Sequence, residues 1–291
     1  IKKNHLIGRG ANDMKSSIAC FVSAVNKFLK KGKFNGSISF LITGDEEGIA
    51  VNGTKKVVEY LKKKKEKIDF CIVGEPSNRK KLGQMIKIGR RGSITTHLTV
   101  KGKQGHIAYP FEALNPSTPL IKILDELKSK PLDKGNKNFQ PSNLEITKIQ
   151  INNSADNVIP ARATATFNIR YNNLHTFGSL KKYILKIINK FEKKYKCKTE
   201  TKFIGTGTAF LTKPNNTVKN IQKIIQKETG QKTLLSTTGG TSDARFIKDI
   251  APCIEFGLVG NTMHQVDERS SIKDMKKLKQ VYLKIIKNFF N

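Results

Sequence analysis

Between residues 13 and 29 the apolar side chains fall at Met14, Ile18, Phe21, Val22, Val25, Phe28 and Leu29. That 3.6-residue period predicts a helix with one buried stripe, stopped near Gly32. The next apolar stretch, residues 37–43, is short and continuous and predicts a strand ending at Gly44. Helical spacing returns over 54–65 and a buried run follows at 70–73, so the opening third alternates as an α/β layer does. The pattern then changes. Residues 93–100, 144–151 and 163–169 alternate apolar and polar, 198–204 is strand-like, and 116–128 and 176–194 have helical period. The order β, α, β, β, α, β is that of a ferredoxin-like α+β unit. After Gly207 come a helix at 215–229, a strand at 234–236, a helix at 242–248, a strand at 253–256 and a closing helix at 272–290. The predicted fold is therefore α/β: a discontinuous mixed-sheet domain over 1–91 and 207–291, interrupted by a ferredoxin-like domain over 92–206, with hinges near Arg91 and Gly205.

Bulk properties narrow the function less than the pattern does. A chain of 291 residues can bury a sizeable core, and no apolar run approaches the roughly 20 residues of a membrane span. Ile1 opens the sequence with no charged leader, apolar core and small-residue cleavage site behind it, so a fragment lacking an upstream part is expected. Cys20, Cys71, Cys197 and Cys253 are scattered without paired spacing, which favours a reducing cytoplasm. The net charge of +31 would suit an anionic partner. Yet only eight of the 54 basic residues are Arg, and the Lys residues spread along helices, so a dedicated nucleic-acid function is not expected.

The chemistry gathers where the patterned elements end. The run "ISFLITGDEEG" places Asp45, Glu46 and Glu47 past an apolar stretch, either as a solvated turn or as acids neutralised by a bound cation. "VGEPS" puts Glu75 at a second strand exit, "GRGANDMK" puts Asp13 at a Gly-rich helix entry, and "GNTMHQVDE" puts His264 in a loop after the strand 253–256. Ligands of α/β sheets bind beyond the carboxyl ends of the strands. Carboxylates with imidazole and no thiolate suit Zn²⁺ or a similar hydrolytic metal. Two such ions about 3.5–4 Å apart need a bridging carboxylate and further ligands on each. One acid left over could take a proton from the attacking water and pass it to the leaving group.

In order along the chain, "GRGANDMK", "TGDEEG", "VGEPS", "GRRGS", "GHIAYP", "NVIP" with "FNIRY", "TGGTSDARF" and "FGLVGNTMHQVDE" resemble the motifs of the dinuclear zinc amidohydrolases related to aminoacylase and carboxypeptidase G. The resemblance runs from Gly8 to the last helix. It implies a zinc (or cobalt) hydrolase in which Asp13 bridges two ions, Glu75 completes one, Glu47 and His264 bind the other, and Glu46 is the general base and acid. It implies that His106 stabilises an oxyanion across a homodimer formed by the inserted lid domain. Arg90, Arg91, Ser93, Tyr109, Asn157, Arg170, Gly240 and Thr241 would hold the carboxylates of an N-succinylated dicarboxylic amino acid.

The resemblance also marks departures. Its first motif, a His two residues before an Asp, should lie upstream of Ile1, so one metal would lack its imidazole in this chain; His5 reads as a surface residue, and Ser16 stands where Gly is usual. His97 and His175 read as structural. Rival readings are hydrolysis of an acetylated amine, as by acetylornithine deacetylase or a broad aminoacylase, and a metal-poor dimerising or anion-binding protein.

Overall fold

The computed structural model describes every residue except Lys31, Ile49, Thr206 and Asn291. The expected boundary at 206 thus lies outside the described residues. The chain forms two compact units, one of Ile1–Gly89, Leu211–Thr238 and Ser242–Asn291, the other of Arg90–Phe210 with Gly239–Thr241.

The first unit is α/β. Its sheet runs Leu234–Ser236, Met85–Lys87, Cys253–Glu255, Cys71–Val73, with parallel outer pairs and an antiparallel central contact at Glu255 and Lys87. Cys20, Ala24 and Phe28 of helix Ser16–Leu29 pack with Leu278, Val281, Tyr282 and Ile285 of helix Ile272–Phe290, as their spacing predicts. The Tyr282 ring stacks on Phe21 at 3.6 Å, and its buried hydroxyl donates to the Phe256 carbonyl at 2.6 Å, so a large polar side chain sits in the core with its one donor satisfied. Helix Asn216–Thr229 starts where the Asn215 side chain accepts from Val218 N–H and stops at Gly230, whose φ of 68° suits a glycine.

The second unit is the inserted ferredoxin-like α+β fold. Its antiparallel strands stand in the order Lys198–Gly205, Gly92–Lys101, Arg162–Tyr171, Asn143–Gln150, which is fourth, first, third and second along the chain. Ala163, Ala165, Phe167, Ile169 and Tyr171 face one way into a core with Leu120, Ile123 and Leu127 of helix Ser117–Ser129 and Leu180, Ile184 and Ile188 of helix Phe177–Tyr195. Strict alternation made this half readable, because a one-residue slip would turn the whole apolar set outward.

Two expectations need correction. Residues 37–43 form no strand, and Phe40, Leu41 and Ile42 are 45, 38 and 61% exposed. A strand exists only against a ladder partner, and Cys71–Val73 ends the sheet with no described residue paired to 37–43. The helix expected over 242–248 shortens to Ala244–Ile247, and the pairing strand Met85–Lys87 carries no periodic signal long enough to read.

Candidate metal and catalytic site

Asp13, Glu47 and His264 each offer a ligand atom within 4.8 Å of the others. His264 Nε2 lies 3.3 Å from Asp13 Oδ2 and 3.4 Å from Glu47 Oε1. Three segments far apart in sequence thus deliver two carboxylates and an imidazole to one point, a donor set that fits a divalent metal. His264 has a φ of 61°, left-handed backbone that a non-glycine residue adopts at a cost of roughly 1 kcal/mol or more.

Asp13 is held by a residue to which sequence reasoning gave no role. The buried carboxylate of Glu268 accepts from the backbone N–H groups of Gly10 (2.9 Å), Asn12 (2.7 Å) and Asp13 (2.9 Å). Burial pushes the Glu268 carboxyl up, but the N–H groups of Asp13, Gly10 and Asn12 outweigh it and hold it below its ordinary value. The signal was present: Glu268 closes the quoted "GNTMHQVDE", but only the fold brings it against a turn more than 250 residues earlier. Gly10 has the φ of 76° that lets the turn direct consecutive N–H groups at one acceptor.

The three acids of "GDEEG" separate by environment. Asp45 turns back onto its own loop, accepting from Val51 N–H (2.7 Å) and Asn52 N–H (2.9 Å), and these donors keep its carboxyl low. Glu47 joins Asp13 and His264. Glu46, half-buried, is pushed up to about 7 by burial and then by the negative charges of Asp243, Glu47 and Asp13, against the opposing pull of Arg245. Burial and the charge of Glu47 also raise Asp13, while His264 lowers it. Protonation relieves the mutual repulsion of these acids, and a divalent cation held by Asp13 and Glu47 would relieve it as well.

Glu75 lies outside that three-residue group. It follows strand Cys71–Val73, and its backbone abuts Gly257 so closely that a Cβ there would sit 2.3 Å from Gly74 O and 2.5 Å from Glu75 O. In the second unit, Ser93 pairs with Arg170 across adjacent strands, and Arg90 and Ser93 are buried. His106 and Tyr109 have ring centroids 5.8 Å apart, and Ile107 N–H donates to Asn157 O at 3.0 Å, so the "GHIAYP" and "NVIP" stretches meet. Gly240 is exposed with open space at its Cβ position, and Thr241 is half-buried. His97 bonds Thr166 and His175 bonds Asp133.

The pattern of peptidase family M20/M25/M40 matches residues 1–288, and the chain belongs to that family of metal-dependent hydrolases. Among its relatives is succinyl-diaminopimelate desuccinylase of Pelagibacter ubique, 66% identical over 291 residues, which are 100% of this chain and 76% of that protein. The same-named protein of Rhodospirillum centenum is 49% identical over 98% of this chain and 73% of its own length. A tripeptidase from Staphylococcus aureus shares the fold with a TM-score of 0.78 at 19% identity, over 99% of this chain and 74% of its own. Among the described residues no helix is long and apolar enough to cross a membrane.

Proposed function

We propose that the chain hydrolyses the amide of N-succinyl-LL-2,6-diaminopimelate to succinate and LL-diaminopimelate, a step toward lysine and diaminopimelate. The convergence of Asp13, Glu47 and His264, in a chain 66% identical to a desuccinylase, carries this reading. The domains are taken as 1–91 with 207–291 for catalysis and 92–206 for lid and dimerisation, in a cytoplasmic homodimer. Exposed Ile107, Tyr109 and Phe111 beside His106 support burial of that loop against a second copy.

In this reading Asp13, Glu47, Glu75 and His264 hold two divalent ions, zinc or cobalt. When bound, such ions polarise the scissile carbonyl and make water a stronger acid. Glu46 takes the proton of the attacking water and delivers it to the departing amine; it stands half-buried beside the acids that would hold the ions, and burial, the first cause that raises its carboxyl, does not depend on their charge. His106 donates to the oxyanion as charge develops there. Arg90, Arg91, Ser93, Tyr109, Asn157, Arg170, Gly240 and Thr241 orient the substrate's carboxylates.

The test is metal analysis of the purified chain together with turnover of succinyl-diaminopimelate against acetylornithine. Two ions per chain with preference for the succinylated amine is the expected result. Preference for the acetylated amine overturns the substrate, and absence of metal overturns the chemistry.

A further inference from the structure

Across one end of the sheet in the second unit, Ser93, Arg170 and Asn143 stand in a single row on three neighbouring strands. Because Ile169 and Tyr171 turn into the core, Arg170 projects from the opposite face. Its half-buried guanidinium makes no hydrogen bond or ion pair among the described residues. Arg91 lies close by, and burial first and then the like charge of Arg170 lower the pKa of its guanidinium. Two partly desolvated cations side by side are unfavourable unless something holds them there or an anion joins them.

What holds Arg91 is a pair of amides. Its Nη1 donates to Asn143 Oδ1 at 2.8 Å, and in the amide orientation that satisfies both groups the Gln140 side-chain carbonyl accepts from Nη1 at 2.8 Å and Nη2 at 3.0 Å. The buried Nε of Arg91 has no partner among the described residues. A carboxylate would bind this guanidinium more strongly, but it would also cancel the charge; neutral acceptors fix the orientation and leave the charge intact.

Gln140 is itself anchored. The Nδ2 of fully buried Asn172 donates to Gln140 O at 3.3 Å and to Asp133 Oδ1 at 2.7 Å, while Asn172 N–H donates to Ser142 Oγ at 3.0 Å. Asp133 also accepts from Gly135 N–H at 2.6 Å. The loop that presents Gln140 is therefore tied at several points.

We infer that Gln140 and Asn143 are positioning residues that hold Arg91 beside Arg170 as an uncancelled two-charge clamp, and that their amide character tunes the enzyme to substrates bearing a carboxylate at this end. The inference rests on the reading that Arg91 and Arg170 receive substrate carboxylate.

The test is succinate binding by calorimetry to the full chain and to its Q140E, N143D and R170A variants, with thermal midpoints recorded. Q140E and N143D keep an acceptor on Arg91 but cancel its charge, so succinate should bind about tenfold more weakly at an unchanged or higher midpoint. The KM for the succinylated substrate should rise by a similar factor with kcat held within about twofold. A merely structural role predicts the reverse, since a stronger anchor would preserve binding. Wild-type affinity in both acidic variants, with binding lost in R170A, overturns the inference alone. Wild-type affinity in R170A overturns the clamp on which it rests.

Discussion

Replacing Glu268 with Ala removes an acceptor that three backbone N–H groups share and leaves those donors in a buried turn. A hydrogen bond to a charged acceptor contributes about 1.5–3 kcal/mol, and the three are not additive because one carboxylate serves them all. A loss of about 3–5 kcal/mol in the stability of the first unit is the working magnitude. The same change frees the turn that aims Asp13, and loss of such an outer support weakens metal binding about 10–100-fold. The sign with pH is also determined. Because the folded Glu268 carboxyl lies below its ordinary value, its contribution is fully present above the unfolded pKa and fades as pH falls through the folded one. Urea denaturation followed by circular dichroism at pH 7 and pH 3, with chelator competition for zinc, reads all three effects. E268A should lose stability at pH 7, with the gap to the parent narrowing at pH 3. A variant within about 0.5 kcal/mol and twofold in zinc affinity of the parent would show that Glu268 does not support Asp13.

Glu46→Gln should lower turnover by a factor on the order of 10²–10⁴ with metal content unchanged, whereas His264→Ala should reduce the metal content itself, as elemental analysis would read. Asp133→Asn should destabilise the second unit by about 1–3 kcal/mol at pH 7. Burial pushes the Asp133 carboxyl up, but donors from Ser142, Gly135 and Asn172 hold it low, so this contribution too is lost as pH falls through the folded pKa. Gly257→Ala should lower the thermal midpoint sharply, since the new methyl would meet backbone oxygens of Gly74 and Glu75 that no side-chain rotation can move. Burial pushes the Cys71 thiol up to about 11 and the Cys253 thiol up to about 12, so alkylation at pH 8 should label them only after denaturation.

The alternation in 163–169 and the helical stripes in 13–29 and 272–290 declared their elements from the sequence alone, because burial on one face leaves a period of 2 or 3.6 in the chain, although the first helix starts only at Ser16, after a non-helical Asp13 and Met14. Asp13, the acidic run Asp45–Glu47, Glu75 and His264 could likewise be picked out, since acids and imidazole beside Gly-rich breaks stand out against apolar runs, while the choice of Glu46 and Glu47 within that run came from the family resemblance. Residues 37–43 show the limit: their composition is that of a strand, but a strand is a relation between two segments, and the second segment is not written in the first. Tertiary structure alone decided that Glu268 supports Asp13, that Asp45 serves its own loop while Glu46 is pushed toward neutrality, and that Gln140 faces Arg91. Each of these depends on which distant dipoles and charges end up within a few ångströms, and electrostatic energy follows distance in space rather than position along the chain.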